Sequence, residues 1–254
     1  MKFARFLYED KVFFGSVKKN KIAVLDGSIF GDFEETKVEY ILSEVKLLPP
    51  VLPTKIVCFG MNYIEHIEEI GAKVPGNPHF FLKPPSSLIG HEDAIVFPRI
   101  AERVDYEGEL ALVIKKKMKD ISEQASLDYL LGCSCFNDVT ERAMVEKGLG
   151  NLSVAKGFDT FSVLGPFVVT DIDPNNLQLR TYVNGVMKQN DNTKNCVFNV
   201  QRLLSYLSEC MTLYPGDVLT TGTPKGVGEL KPGDVVEVEI DGIGRLRNSV
   251  TRQR

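Results

Sequence analysis

Two carboxylates, Glu107 and Glu109, stand two residues apart at the start of a long apolar segment. Residues two apart on a β-strand point to the same face, so both side chains share one face. The run from Leu110 to Ile114 is wholly apolar, which is typical of a buried strand. Like charges at the entrance to a core repel each other and lose hydration, and a divalent cation is the simplest compensation. A third carboxylate, Asp138, ends another apolar run.

Three carboxylates without a histidine or thiolate favour a hard cation, Mg²⁺ or Mn²⁺, with water in the remaining positions. Gly108 lies between two of them and would let a ligand or another backbone approach closely. The sequence has three histidines, so a histidine-rich zinc or iron site is hard to assemble. The alternative from the residues alone is a solvated acidic pair on an edge strand.

A second group of reactive side chains lies between Gly60 and Gly71. Isoleucine recurs at every third position from 64 to 70, which predicts a short amphipathic helix. His66 and Glu69 are three apart on that helix and can meet on one face. A carboxylate beside an imidazole raises its basicity and fixes its tautomer, as a general base requires. Flanking glycines would let the helix move as a lid. The competing interpretation is an acidic surface helix with a bystander histidine.

Two further segments could contribute to a site. Lys156 lies among apolar and small residues, where it could pair with the carboxylates or hold an anionic substrate; a surface lysine is the alternative. The glycine-rich segment 221–228 lacks the residue order of a phosphate-binding loop. It is compatible with a turn that offers backbone N–H groups to a carboxylate.

The elements that must position these residues are mostly strands. The chain has 254 residues, 43% of them hydrophobic and 25% charged, which is ordinary for a globular protein. Prolines at 49, 50 and 53 predict an extended linker after short N-terminal strands. We therefore predict a β-rich α+β protein with a small N-terminal β domain at 1–50 and a main domain at 51–254. Predicted elements include a strand at 106–114 and helices at 126–131 and 199–210.

Charge and composition exclude several classes of protein. Thirty basic and thirty-four acidic residues leave a net charge of −4 without a basic stripe, so we expect no nucleic-acid partner. No apolar run is long enough to span a bilayer, so we expect no membrane partner. The N-terminus lacks a signal peptide's apolar core, and the five cysteines are too scattered for a disulfide framework. We therefore expect a cytoplasmic protein.

The chain resembles the fumarylacetoacetate hydrolase family in its short bacterial and archaeal form. The resemblance covers about residues 47–250 and is carried by eight motifs in order, which are LLPPVLPTKIVCFGMNYIEHIEE, FFLKPPSSLIG, VDYEGELALVI, CFNDVTER, AKGFDTFSVLGP, VNGVMKQNDNT, LYPGDVLTTGTPKGVG and PGDVVEVEIDGIGRLRNSV. It implies a catalytic domain with a mixed β-roll, working as a homodimer on a small-molecule 2-oxo acid.

The resemblance also implies roles for individual residues. The family's Mg²⁺ or Mn²⁺ ligands match Glu107, Glu109 and Asp138. Its mobile catalytic pair and active-site lysine match His66, Glu69 and Lys156. Positions that line the substrate pocket in relatives match Lys83, Ser86, Arg142, Gln189 and Thr223. One segment departs from the family pattern: relatives often carry Asp and Gln where this chain has Ala143 and Val145. This departure concerns the substrate rather than the metal site.

The resemblance implies an enzyme of 2-oxo or 2-hydroxydienoic acids, such as arise in aromatic catabolism. We rank an isomerase or tautomerase of the 2-hydroxyhepta-2,4-diene-1,7-dioate type first, acylpyruvate C–C hydrolysis second and oxaloacetate decarboxylation third. The N-terminal unit is much shorter than in the long eukaryotic fumarylacetoacetases, so fumarylacetoacetate is not the favoured substrate. A non-catalytic β-fold binding protein is a further class, against which the presence of both His66 and Glu69 argues.

Overall fold

The computed structural model describes residues 1–147 and 152–253, and β-strands dominate it. The N-terminal strands are β1 (Lys2–Tyr8), β2 (Lys11–Lys18), β3 (Lys21–Gly27), β4 (Phe33–Ile41) and β5 (Lys46–Leu48). The elements up to the third carboxylate are β6 (Ile56–Gly60), α1 (Ile64–Glu69), β7 (His79–Lys83), β8 (Leu88–Ile89), β9 (Ile95–Phe97), β10 (Val104–Tyr106), β11 (Gly108–Ile114), α2 (Glu123–Ser126) and β12 (Leu130–Asp138). The remaining elements are β13 (Thr140–Glu141), α3 (Arg142–Glu146), α4 (Leu152–Gly157), β14 (Ser162–Val169), β15 (Gln178–Val183), β16 (Val186–Asn192), α5 (Val200–Cys210), β17 (Val218–Thr220), β18 (Gly228–Leu230), β19 (Val235–Ile240) and β20 (Gly244–Arg252).

The strands of the described residues form three sheets, and the two larger sheets contain both parallel and antiparallel pairs. The twelve-stranded sheet has the order β4-β3-β2-β1-β14-β12-β11-β17-β6-β7, with β5 beside β1 and β8 beside β14. A five-stranded sheet has the order β16-β15-β19-β20-β9, and a three-stranded sheet has the order β13-β10-β18. Because β1 pairs with β14, the N-terminal strands continue the main sheet. Parallel pairs, such as β17 with β6, occur among mostly antiparallel ones. The predicted β-rich α+β fold is confirmed.

The centre of the large sheet is buried on both faces. Every residue of β11 and β14 is buried, and so are all but the first of β12. Along β11, Leu110 and Leu112 join one hydrophobic cluster, whereas Ala111 and Val113 join another on the opposite face. Side chains that emerge from the ends of these strands are therefore held on a rigid, closely packed base.

The local predictions hold in part. The strand predicted at 106–114 is interrupted at Glu107, which lies between β10 and β11. The helix predicted at 126–131 is confirmed only in its first part: α2 ends at Ser126, a 3-10 turn covers Leu127–Tyr129, and Leu130 enters β12, where it pairs with Ile114. Tertiary strand pairing overrides the helical spacing there. The helix predicted at 199–210 is confirmed as α5, and the side chain of Asn199 caps its start by accepting from the N–H of Arg202.

The predicted amphipathic helix exists as α1, but its isoleucines do not form one buried face. Ile67 is buried, whereas Ile64 and Ile70 are about half exposed. A helix of only six residues that is anchored through one apolar side chain packs weakly against the sheet. Within the described residues, no helix is long and apolar enough to cross a membrane.

Candidate active site

The three predicted carboxylates converge because β11 and β12 are antiparallel neighbours in one register. Gly108 lies opposite Asn137, and the N–H of Asp138 donates to the carbonyl of Glu107 at 2.8 Å. The side chain of Asn137 in turn accepts from the N–H of Glu107 at 3.0 Å. One oxygen from each of Glu107, Glu109 and Asp138 lies within 4.8 Å of the others, and all three residues are buried. They form a single acidic cluster at the end of the central strands.

Cations from other elements, two of them buried, compensate two of these carboxylates. The Nζ of Lys156, on α4, lies 2.6 Å from both Glu107 Oε2 and Asp138 Oδ2. Lys83, at the end of β7, donates to Asp138 Oδ1 and also to the carbonyl of Phe161 at 2.7 Å. Arg142, at the start of α3, donates to Glu107. Each cation is thus fixed by more than one acceptor, as a buried charge requires.

These partners set the pKa values of the cluster. Burial opposes ionisation of Glu107, but Lys156 and Arg142 outweigh it and lower the pKa of that carboxyl to about 2. Burial also opposes the charge on Lys156, yet Asp138 and Glu107 raise the pKa of its ammonium group. The pKa of Glu109 is raised well above its usual value by burial and by repulsion from Asp138 and Glu107. Glu107 and Lys156 are therefore ionised at neutral pH.

Glu109 is the carboxylate with the least compensation. It accepts the N–H of Gly222 at 3.1 Å, and no lysine or arginine within residues 1–147 and 152–253 pairs with it. Three carboxylates, one of which lacks a counter-charge, make an oxygen-only donor set. Such a set suits a hard divalent cation, whose charge would also stabilise the ionised form of Glu109. The residues present therefore fit a divalent metal ion, without specifying which one.

The predicted histidine–glutamate contact is present on α1. His66 Nδ1 and Glu69 Oε2 lie 3.1 Å apart. Both carboxylate oxygens of Glu69 also lie 3.2 Å from the backbone N of Gly226, which donates to them. The prediction that segment 221–228 offers N–H groups to carboxylates is confirmed, since Gly222 serves Glu109 in the same way.

A cavity of about 290 Å³ joins the acidic cluster to the helix. Its wall includes the three carboxylates together with His66 and Lys156. The apolar part of the wall includes Phe59, Met61, Ile70, Phe80, Phe81, Val145 and Leu152. Small-molecule sites commonly combine such an apolar wall with a few convergent polar groups. The arrangement can therefore hold a small polar ligand near the cluster and present an imidazole to it.

The structure separates the five residues that were predicted to contact substrate. Arg142 and Thr223 line the cavity. Lys83 lies beneath Asp138 and is fully buried. Gln189 is buried behind the wall, where its side chain bonds to Gly108, Thr223 and Pro224. Ser86 is exposed and lies outside the lining of the cavity.

One functional residue escapes the sequence reasoning. Asp105 is completely buried and accepts from Arg142 Nε at 3.0 Å and from Arg103 Nε at 2.9 Å. It thereby orients the guanidinium group that serves Glu107. Its position two residues before Glu107 and four before Glu109 is the alternation that identified the other two carboxylates, and the same pattern could have found it.

Two family profiles match separate parts of the chain. The profile of the family described as fumarylacetoacetate (FAA) hydrolase C-terminal matches residues 55–251, and the Rv2993c-like N-terminal profile matches residues 1–50. The chain is 44% identical over 220 residues to oxaloacetate tautomerase fahd2, mitochondrial, of Xenopus laevis, which covers 82% of this chain and 69% of that protein.

Solved structures are similar along the whole length. The 2-hydroxyhepta-2,4-diene-1,7-dioate isomerase of Mycobacterium marinum matches with a TM-score of 0.93 and 38% identity, over 100% of this chain and 99% of that one. The maleylpyruvate hydrolase of Sphingobium sp. SYK-6, in complex with manganese(II) and pyruvate, matches with a TM-score of 0.84 and 29% identity, over all of both chains. Together with the profile match, the three-sheet β-roll and the acidic cluster, these similarities show that the chain belongs to the fumarylacetoacetate hydrolase family.

Proposed function

We propose that this chain is a divalent-metal-dependent enzyme that isomerises 2-oxo or 2-hydroxydienoic acids, with a substrate of the 2-hydroxyhepta-2,4-diene-1,7-dioate type. The observation that carries the proposal is a cavity lined by the acidic cluster, Lys156 and His66, whose imidazole contacts Glu69 behind it. The similarity to the Mycobacterium marinum isomerase and to the Xenopus tautomerase supports this reaction class.

Glu107, Glu109 and Asp138 would hold Mg²⁺ or Mn²⁺. When bound there, the ion would supply Lewis-acid polarisation of the substrate's C2 oxygen and make the proton of the 2-hydroxyl group more acidic. The ammonium group of Lys156 lies against the same carboxylates and remains charged at neutral pH, so it adds a fixed positive charge where an enolate oxygen develops. Arg142 holds Glu107 in place and also lines the cavity, where it can bind a substrate carboxylate.

His66 moves the proton in this scheme. Glu69 engages the Nδ1 atom, which leaves Nε2 for the ligand side of the ring. Nε2 can then take the proton of the 2-hydroxyl group and return it at C5, the far end of the conjugated system, which gives the 2-oxo-3-ene and shifts the double bond. The carboxylate of Glu69 stabilises the imidazolium that forms between the two steps.

A second reaction uses the same residues. If His66 activates water instead, attack on a distal carbonyl would break the C–C bond of an acylpyruvate and give a carboxylic acid and pyruvate. The similarity to the maleylpyruvate hydrolase supports this second candidate reaction.

We also propose that the chain works as a homodimer. The molar mass measured by light scattering in solution would test this.

Two substrates separate the reactions. We would incubate the protein with Mg²⁺ and either acetylpyruvate or 2-hydroxyhepta-2,4-diene-1,7-dioate, and follow pyruvate release and dienoate absorbance. An isomerase shifts the absorbance and releases no pyruvate, whereas a hydrolase releases pyruvate. Glu107→Gln should abolish either activity, and the exposed Glu102→Gln serves as the matched control. Full turnover by Glu107→Gln in the presence of a chelator would refute the proposal.

A further inference from the structure

Residues 221–227, here called the glycine loop, connect two parts of the site. The loop leaves β17, which pairs with β11, and enters β18, which pairs with β10. Its first half is fixed to the acidic cluster: the N–H of Gly222 donates to Glu109, and the hydroxyl of Thr223 donates to the carbonyl of Gly108 at 3.0 Å. This half of the loop therefore moves only together with the strand that carries Glu109.

Gln189 fastens the middle of the glycine loop. Its Nε2 donates to Thr223 Oγ1 and to the carbonyl of Pro224, both at 2.8 Å, while its Oε1 accepts from the N–H of Gly108 at 3.0 Å. The side chain is 1% exposed, and both ends of its amide are satisfied by protein groups. Because its amide is fully engaged, Gln189 stabilises the middle of the loop. The second half of the loop is the part that contacts α1.

The second half of the loop joins Tyr106 to Glu69. The hydroxyl of Tyr106 donates to the carbonyl of Gly226 at 2.8 Å. On the other side of the same Cα, the N–H of Gly226 donates to both oxygens of Glu69, which contacts His66. These contacts form a continuous series: the Tyr106 hydroxyl, the C=O and N–H groups of Gly226, the carboxylate of Glu69 and the imidazole of His66. The series begins at Tyr106, the residue before Glu107.

The conformation of Gly226 makes this series specific. Its φ of +97° is strained for any residue with a side chain, and a Cβ there would lie 2.3 Å from the carbonyl oxygen of Lys188. The backbone thus passes against β16 in a course that only glycine permits. The peptide groups on either side of Gly226 have little conformational freedom. Loss of the Tyr106 hydrogen bond would therefore also change the contact between the Gly226 N–H and Glu69.

We infer that Tyr106 is a positioning residue for the histidine base: its hydroxyl orients the Gly226 peptide, which holds Glu69 against His66. The inference rests on the proposed function, because it presumes that His66 moves a proton. Helix α1 is short and anchored chiefly by Ile67, so contacts of this kind supply a large share of its order. A bound cation does not enter the series.

The test is a double-mutant cycle that combines Tyr106→Phe with Glu69→Gln. Tyr106→Phe removes one neutral hydrogen bond and keeps the ring, so we expect kcat to fall by about 3- to 10-fold. The KM and the affinity for Mn²⁺ should stay within about twofold, since Tyr106 touches neither ligand. In the Glu69→Gln background the same change should have little further effect. Tyr182→Phe, on β15, is the matched control and should leave kcat unchanged.

Hydrogen exchange gives a readout that does not depend on turnover. Amides of α1 should exchange faster in Tyr106→Phe and in Glu69→Gln, while those of β11 stay protected. If Glu69→Gln has no effect on kcat, the proposed function fails. If Glu69→Gln lowers kcat but Tyr106→Phe matches the wild type in kcat and in α1 exchange, the positioning role alone is refuted. Additive effects on kcat in the cycle would also refute it.

Discussion

Lys156→Met removes an ammonium group that pairs with two buried carboxylates and replaces it with a side chain of similar length. Lys156 is 4% exposed, and its Nζ lies 2.6 Å from both Glu107 and Asp138. Once it is removed, the cluster keeps its negative charges but loses the cation that they share. Methionine fills the space, so the effect reports charge rather than a cavity.

The magnitude follows from the cost of leaving a buried ion without its partner. Breaking such a pair destabilises a protein by roughly 3–5 kcal/mol. For a chain of this size each kcal/mol lowers Tm by about 2–4 °C, so we expect Tm to fall by on the order of 10 °C in a chelator. A divalent cation supplies the missing charge and should therefore raise Tm by more in Lys156→Met than in the wild type.

Thermal unfolding followed by circular dichroism, with EDTA or with Mn²⁺, measures both effects. Lys117→Met changes an exposed lysine and serves as the control, with an expected change below about 0.5 kcal/mol. Equal Tm values for Lys156→Met and Lys117→Met in EDTA would contradict this expectation. It also fails if Mn²⁺ stabilises the variant no more than it stabilises the wild type.

Three other perturbations address separate parts of the account. Glu69→Gln should lower kcat by about 100-fold or more while the Kd for Mn²⁺ in a calorimetric titration stays unchanged, and a parallel loss of Mn²⁺ affinity would contradict this. Gly226→Ala should lower the unfolding free energy in urea by about 1–3 kcal/mol, because its Cβ meets the Lys188 carbonyl, and wild-type stability would be contrary to expectation. In a chelator the contribution of Glu109, whose pKa is raised, should increase stability as pH falls from neutral toward about 4.5. Below about pH 4.5, protonation of Glu107 should lower the unfolding free energy by about 3 kcal/mol as the pH approaches the pKa of this carboxyl, about 2. A urea midpoint that does not change with pH would contradict both expected changes.

The parts of the site that sequence reasoning could find are those set by local periodicity. The alternation of Glu107 and Glu109 places them on one face of a strand, and the spacing of His66 and Glu69 places them on one face of a helix. Both relations hold in the structure because they depend on only a few bonds of backbone. The alternation is weaker evidence than it looked, since Asp105 shares it and serves an arginine instead.

The relations that local periodicity alone does not predict depend on sheet register and on long-range packing. Asp138 reaches Glu107 only because β12 runs beside β11 with Asn137 opposite Gly108. Lys83 reaches Asp138 from a strand 55 residues away. Gln189, which the family pattern associates with substrate, instead fills its hydrogen bonds within the protein. Such contacts cannot be read from local sequence patterns, because they depend on which strands and helices become neighbours in the fold.

The most direct test of the central claim is the position of a bound divalent ion. Crystals grown with Mn²⁺ and measured at an energy near the manganese edge would reveal the ion by its anomalous scattering. The account predicts one strong peak, with Glu107, Glu109 and Asp138 each contributing an oxygen at a distance of about 2.0–2.3 Å. The claim would be contradicted by a map with no peak at the acidic cluster, or by a peak that lacks any of these three ligands.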